Sequence, residues 1–134
     1  MFIGMDHVGV AVRSLDEAVN VYCDVLGFKL EGIHVLTDRK VKVAFLSTGG
    51  QTNVELLEPL NSESTIAKYL ETHGEGIHHF AMKVKSIEAT LAEYKKNGVI
   101  LIDELPKAGA EGTRIAFVNP KSTRGVLLEL CERP

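Results

Sequence analysis

The chain contains an internal repeat, and this repeat restricts the folds that are open to it. His7 and the strand-like sequence around it return 72 residues later around His79, without a gap. An offset of 74 residues aligns Glu55 with Glu129 near the end of each copy. Because self-similarity at a fixed spacing indicates one structural unit used more than once, we predict two copies of one module. Each copy contributes one histidine and one glutamate.

Hydrophobic periodicity predicts a β-α-β-β-β order for the first copy. Alternation over Met5–Val12 places the valines on one strand face and His7 on the other. Ser14 and Glu17 form a capping box, which begins a helix that Gly27 ends. Three strands are then expected, the last of them ended by a proline: Phe28–Leu36, Val41–Ser47 and Asn53–Leu57, followed by Pro59.

The second copy is predicted to have the same order, after a polar connector with a short helix around Ile66–Leu70. Its helix begins after Ser86 and ends at Gly98, and its expected strands are Ile77–Val84, Val99–Ile102, Arg114–Val118 and Val126–Cys131. The predicted fold class is α+β, with two β-α-β-β-β modules forming a cupped mixed sheet, because helices on one face leave the other face free to curve. We expect a single domain over residues 1–134, with module 1 at about 3–60, a connector helix at about 61–75 and module 2 at about 76–134.

Composition excludes several classes of protein. A net charge of −3 at pH 7 argues against nucleic acid as a partner, since no basic surface is expected. No apolar run approaches the roughly 20 residues that a membrane-spanning helix needs. Cys23 and Cys131 are too few for a disulfide scaffold, so we expect a cytoplasmic protein with two reduced thiols.

Four residues at repeat-equivalent positions are candidates for a metal site. His7 and His79 lie on the strand faces away from the predicted helices, and Glu55 and Glu129 have apolar neighbours on both sides. An unpaired buried carboxylate is costly, so each is expected to have a partner. A histidine or glutamate alone in a strand is usually structural, but two imidazoles with two carboxylates in equivalent places indicate a divalent-metal site. Zn²⁺, Co²⁺, Ni²⁺, Mn²⁺ and Fe²⁺ suit such ligands, and the lack of thiolates favours an exchangeable, catalytic ion.

Five stretches carry a resemblance to a known family: Asp6–Ala11, Glu58–Ser64, Gly76–Ala81, Arg114–Lys121 and Gly125–Leu130. In these, and over nearly its whole length, the chain resembles the vicinal oxygen chelate (glyoxalase) superfamily and, within it, the methylmalonyl-CoA epimerases. The resemblance implies that His7, Glu55, His79 and Glu129 bind a divalent ion, with Co²⁺ the expected metal. It also implies an isomerase that interconverts (R)- and (S)-methylmalonyl-CoA by removing the C2 proton, through an enolate that the metal stabilises.

The reaction implied by the resemblance needs a proton acceptor on each side of the enolate plane. Glu129 is the expected first base, and Glu55 is the candidate for the second. Many bacterial epimerases that the chain resembles have glutamine at the position of Glu55, and many carry a glutamate, taken as a base, at the position of Val43. Asn119 also replaces a histidine common in that family. The metal ligands therefore carry over by resemblance, whereas the identity of the second base does not.

An acyl-CoA substrate and a homodimer are the expected partners. Lys121 and Arg124, in a turn, and Ser64, at a predicted helix start, are candidates for contacts with the phosphates of coenzyme A. The alternative for the two basic residues is that they are ordinary solvated turn charges. The homodimer is expected because the family usually forms one and because small symmetric assemblies are common.

Three other functions compete with the epimerase interpretation. A glyoxalase I-like lactoylglutathione lyase has a ligand set that resembles this one at least as well, because of Glu55. The connector and the Asn-Pro-Lys segment at 119–121 favour the epimerases instead. A drug-sequestering binding protein needs no complete ligand set, and an Fe(II) dioxygenase needs only two histidines and one carboxylate.

Overall fold

The computed structural model of the chain describes residues 1–134 and consists of eight strands and three α-helices. The strands are β1 (Phe2–Ala11), β2 (Lys29–Leu36), β3 (Val41–Ser47), β4 (Asn53–Pro59), β5 (Gly76–Val84), β6 (Lys107–Ala108), β7 (Arg114–Val118) and β8 (Leu128–Glu132). The helices are α1 (Leu15–Val19), α2 (Thr65–His73) and α3 (Ile87–Lys96). A π-helix (Asn20–Val25) continues α1, and two short 3-10 helices lie at Ala110–Gly112 and Pro120–Ser122.

The chain divides into two compact units, and each contains one β-α-β-β-β module. His7–His78 form one unit, in which the strand order is β2-β3-β4-β1. Met1–Asp6 and His79–Pro134 form the other, in which the order is β5-β8-β7-β6. In both modules the first strand pairs in parallel with the last, and the remaining pairs are antiparallel. The predicted α+β class with two modules of mixed sheet is confirmed, whereas the single domain over 1–134 stays a prediction.

Each module has its own apolar core between its sheet and its first helix. In the first module, Val10 and Leu56 are in register on neighbouring strands and pack with Leu15 of α1. In the second, Leu130 packs with Ile87 of α3. Burying a side chain of this size contributes about 1.5–3 kcal/mol, so the position of each helix on its sheet is strongly favoured. As predicted, the valines of β1 face this core, and strand alternation directs His7 to the opposite face.

A glutamate at the end of each module's last strand holds the start of its helix. The N–H of Leu15 donates a hydrogen bond of 2.8 Å to Glu58, and the N–H of Ile87 donates one of 2.9 Å to Glu132. These N–H groups have no acceptor within their own helices, because the first turn of a helix leaves its donors unpaired. The predicted serine caps are confirmed as well: Ser14 and Ser86 accept N–H bonds from the first turns of α1 and α3.

The helix of the first module differs from the prediction in its second half. Only Leu15–Val19 are α-helical, and Asn20–Val25 follow as a π-helix. The wider turn is visible in the hydrogen bond from the Leu26 N–H to the Val21 carbonyl, five residues back. Gly27, with φ of 90°, ends the helix as predicted. An apolar period of 3.6 does not reveal a π-turn, because the pattern of buried residues is almost the same.

The prediction of a strand at Val99–Ile102 is wrong. This segment forms only an isolated bridge, between Leu101 and Val118, and the strand of the second module that precedes β7 is β6. Its backbone still bonds to the end of β7: the N–H groups of Ile102 and Asp103 donate to the Phe117 carbonyl, at 3.0 and 3.2 Å, and the N–H of Asn119 donates to the Ile100 carbonyl at 2.9 Å. Side chains accept two further N–H groups. Ser122 accepts the Ile100 N–H at 2.8 Å, and Asp103 accepts the Phe117 N–H at 2.8 Å.

Several strand ends also differ from the prediction, by one to three residues. Among them, β8 begins at Leu128 instead of Val126. β1 begins at Phe2 instead of Met5, and β8 runs to Glu132 instead of ending at Cys131. β4 includes Pro59, which is in register with Val41 as the last residue of the strand. Proline is tolerated there because the ladder ends at that point. No helix of the structure is long and apolar enough to cross a membrane.

Replacing Glu58 by alanine is expected to destabilise the protein by about 1–3 kcal/mol, because the partly buried Leu15 N–H loses its acceptor. Urea unfolding measures the loss. Glu63 is the matched control, since its pair with Lys40 at 3.2 Å is exposed and contributes about 0–1 kcal/mol. Equal stabilities of the Glu58→Ala and Glu63→Ala variants would contradict this role of Glu58.

Candidate metal centre

In the first module, a buried imidazole faces a carboxylate. His7 Nδ1 lies 3.2 Å from Glu55 Oε2. The parallel pairing of β1 and β4 brings Glu55 into register with Gly9, so its side chain lies on the same sheet face as that of His7. Only 4% of the surface of His7 is exposed, and Glu55 is largely covered. The structure therefore brings these two predicted residues together.

The second module contains the equivalent pair. His79 Nε2 lies 3.4 Å from Glu129 Oε1, with 6% of His79 and 3% of Glu129 exposed. Glu129 is in register with Ala81 on one side and with Phe117 on the other. The ring of Phe117 meets the His79 imidazole edge-on, with centroids 5.7 Å apart. This aromatic side chain restricts the orientation of the imidazole beside the carboxylate.

The atoms of each pair fit the requirements of a divalent ion. When two ligand atoms bind the same ion at about 2.0–2.2 Å, and the angle between them at the ion is about 90–109°, they are about 3.0–3.5 Å apart. The nitrogen–oxygen separations of 3.2 and 3.4 Å lie in this range. Imidazole and carboxylate are the ligand types that Zn²⁺, Co²⁺, Mn²⁺ and Fe²⁺ accept. Each module therefore contains a buried histidine–glutamate pair that can contribute ligands to such an ion.

The three residues predicted to contact coenzyme A lie in different environments. Ser64 is buried, and its hydroxyl accepts the N–H of Ile66 at 3.1 Å as the cap of α2. Lys121 and Arg124 are exposed, in and after the 3-10 helix at Pro120–Ser122. Contacts of all three with a substrate stay predictions. Two further histidines, His34 and His73, are exposed.

The sequence pattern did not reveal the role of Asp6. Its carboxylate is buried and accepts two hydrogen bonds from the Arg133 guanidinium, at 2.8 and 3.0 Å. The bonds to Asp6 raise the pKa of Arg133 above its already high ordinary value, so the guanidinium is positively charged at neutral pH. Arg133 lies beyond the predicted last strand, and no periodicity links it to a residue 127 positions away.

Comparison with protein families gives a match over most of the chain. Residues 6–117 match the model of the Glyoxalase/Bleomycin resistance protein/Dioxygenase superfamily. The chain is 37% identical to the mitochondrial methylmalonyl-CoA epimerase of Mus musculus, over 94% of this chain and 71% of the mouse protein. This match confirms the superfamily that the sequence motifs indicate.

Solved structures show the same similarity. The methylmalonyl-CoA epimerase of Mycobacterium tuberculosis has a TM-score of 0.94 and 36% identity, covering 99% of this chain and 89% of its own. A methylmalonyl-CoA epimerase in complex with methylmalonyl-CoA and NH4+ has a TM-score of 0.92 and 34% identity, covering 98% of this chain and 95% of its own. The fold predicted from the resemblance is therefore confirmed by structures as well as by sequence.

Co²⁺ at about 100 times its dissociation constant is expected to stabilise the folded protein by about 2.7 kcal/mol, because the ion binds the folded state alone. Removing the imidazole in His79→Ala is expected to abolish most of this gain. The measurement is the Co²⁺-dependent shift of the thermal unfolding midpoint. His73→Ala serves as the control, because His73 is an exposed histidine of α2. A parental shift in His79→Ala would contradict the assignment.

Proposed function

We propose that this chain, which belongs to the Glyoxalase/Bleomycin resistance protein/Dioxygenase superfamily, is a methylmalonyl-CoA epimerase that interconverts the (R) and (S) forms of its substrate. The observation that carries the proposal is the occurrence of a buried histidine–glutamate pair in each module, at 3.2 and 3.4 Å. Similarity over at least 94% of this chain to proteins named methylmalonyl-CoA epimerase supports the choice of substrate.

The two pairs are proposed to bind one divalent ion, with His7, Glu55, His79 and Glu129 as its ligands. The internal repeat supports this, since each module contributes the same two groups from equivalent strands. Co²⁺ is the proposed metal because the resemblance to the epimerases implies it, and nitrogen and oxygen ligands without thiolates suit such an exchangeable ion. Such an ion supplies Lewis acidity that stabilises negative charge on a thioester carbonyl oxygen.

Proton transfer is assigned to the two carboxylates. Removal of the C2 proton breaks the C–H bond, leaves its electron pair in the enolate and places the proton on a carboxylate oxygen. Return of a proton to the opposite face of C2 gives the other enantiomer. Glu129 is the proposed acceptor on one side, and Glu55 on the other, while Val43 has no group that accepts a proton. We therefore assign the role of second acceptor to Glu55, one of the proposed metal ligands.

Binding of the coenzyme A portion is assigned to residues near two helix starts. Lys121 and Arg124 are exposed cations that suit phosphate oxygens, and Ser64 lies at the start of α2, where backbone N–H groups favour anions. The proposed location is the cytoplasm, where acyl-CoA thioesters are available. A homodimer is also proposed, because the family that the chain resembles usually forms one and small symmetric assemblies are common.

The epimerase proposal predicts conversion of one enantiomer of methylmalonyl-CoA into a mixture of both by the Co²⁺-loaded protein. Chiral analysis of the product and deuterium uptake at C2 in heavy water measure the reaction. The hemithioacetal of methylglyoxal and glutathione is the comparison substrate, because the lyase alternative has a similar ligand set. Turnover of the hemithioacetal with no exchange at C2 of methylmalonyl-CoA would overturn the proposal in favour of that lyase.

Glu55→Gln is expected to keep the metal and lose most epimerisation, because an amide oxygen can coordinate an ion but cannot accept the proton. Glu129→Gln is expected to fail on the opposite face of C2. Each variant should then exchange the C2 proton of one enantiomer faster than that of the other. Deuterium uptake, measured separately on each enantiomer, gives the two exchange rates.

Two results would contradict the assignment of Glu55 as the second base. A Glu55→Gln protein with full metal content and parental turnover would show that Glu55 is a ligand only. Lost stability without any difference between the enantiomers would show that Glu55 serves the fold.

A further inference from the structure

We infer that Lys107 binds an anionic group of the substrate beside Glu129 and thereby determines specificity for substrates with a free carboxylate. This inference rests on the proposed function and identifies a binding residue of the same site. Lys107 is one of two residues in β6, the strand that sequence patterns did not reveal. Two groups of the substrate carry anionic oxygens that an ammonium can bind: the carboxylate of the acyl part and the phosphates of coenzyme A.

Strand register places Lys107 on the sheet face that carries the histidine–glutamate pair of its module. Lys107 is in register with Ile115 in the antiparallel pair of β6 and β7. Ile115 and Phe117 are two residues apart and therefore share a face, and Phe117 is in register with Glu129. Lys107 is two strands, about 10 Å, from Cys131, and Glu129 lies two residues further along β8, so the backbones of Lys107 and Glu129 are about 12 Å apart. A side chain as long as lysine can span part of this distance.

Two contacts hold the ammonium over this face. Lys107 Nζ lies 5.2 Å from the centroid of the Phe117 ring, within the range of a cation–π contact. It also lies 3.3 Å from Asp103 Oδ1, while the other oxygen of Asp103 accepts the Phe117 N–H at 2.8 Å. Asp103 is therefore fixed to the backbone of β7 and restricts the ammonium to the neighbourhood of Phe117.

The ammonium has the capacity to bind a substrate anion in this position. It carries three N–H donors, and the pair with Asp103 requires only one of them. The side chain of Lys107 is 48% exposed, so a ligand can reach it. The Phe117 ring contacts both the ammonium, at 5.2 Å, and the imidazole of His79, at 5.7 Å, so one aromatic side chain separates the cation from the pair that is assigned to the chemistry.

The distances favour the carboxylate of the acyl group over the phosphates. The carboxylate of a malonyl thioester is bonded directly to C2, so an acyl group that places C2 beside Glu129 has its carboxylate within the span of two strands. The phosphates lie beyond the pantetheine arm. The first module offers a comparison at the equivalent place, where His34 meets the ring of Phe45 edge-on, with centroids 5.1 Å apart. The phenylalanine at this position therefore contacts a histidine in the first module and a lysine in the second.

The test measures the affinity of the Co²⁺-loaded protein for two ligands by calorimetry. Methylmalonyl-CoA has the carboxylate, whereas propionyl-CoA has the same coenzyme A without it. Lys107→Met is expected to weaken binding of methylmalonyl-CoA about tenfold or more, the usual effect of losing a charged hydrogen bond, and to leave propionyl-CoA unchanged. Lys107→Arg, which keeps the charge, is expected to restore most of the affinity.

Lys95→Met is the matched control, because Lys95 is a similarly exposed lysine of α3 whose acidic partner, Glu104, is 3.8 Å away. It should bind both ligands like the parent. Equal losses for both ligands in Lys107→Met would overturn the inference in favour of phosphate binding, and unchanged affinities would overturn it altogether. A parent protein that binds methylmalonyl-CoA without epimerising it would refute the proposed function but not the role of Lys107.

Discussion

The cost of burying a carboxylate within a sheet constrains both modules. Glu129 is 3% exposed and lies between apolar neighbours of the same strand, where an uncompensated charge costs several kcal/mol. An imidazole nitrogen lies 3.4 Å from the carboxylate in this module and 3.2 Å from it in the other, which places a polar partner beside each charge. Because a shift of one residue would turn each glutamate into the apolar core, these pairs also favour a single strand register.

Each module uses its last strand both to hold the helix and to carry the pair. Glu55 and Glu58 both lie on β4, and Glu58 anchors the first N–H of α1. The second module repeats this with Glu129 and Glu132 on β8. The same strand therefore positions both the helix start and the carboxylate.

The repeat made most of this arrangement predictable from sequence. Period-2 alternation identified the face of His7, and the offset that aligns the glutamates identified their equivalence. The same offset also relates Glu58 to Glu132, so the two helix anchors could have been found. The two-residue strand β6 was not predictable, because it is too short to show alternation, and with it the position of Lys107 was missed. The pair of Asp6 with Arg133 depends on contacts between distant residues that no local pattern records.

We propose that His7, Glu55, His79 and Glu129 bind a single ion, and the coordination of bound Co²⁺ tests this proposal most directly. Titration calorimetry gives the number of ions per chain, and X-ray absorption of the same sample gives the number of imidazoles per ion. Our account predicts one ion per chain with two imidazoles and oxygen ligands. Two ions per chain, or one imidazole per ion, would mean that each histidine–glutamate pair acts alone and would contradict it.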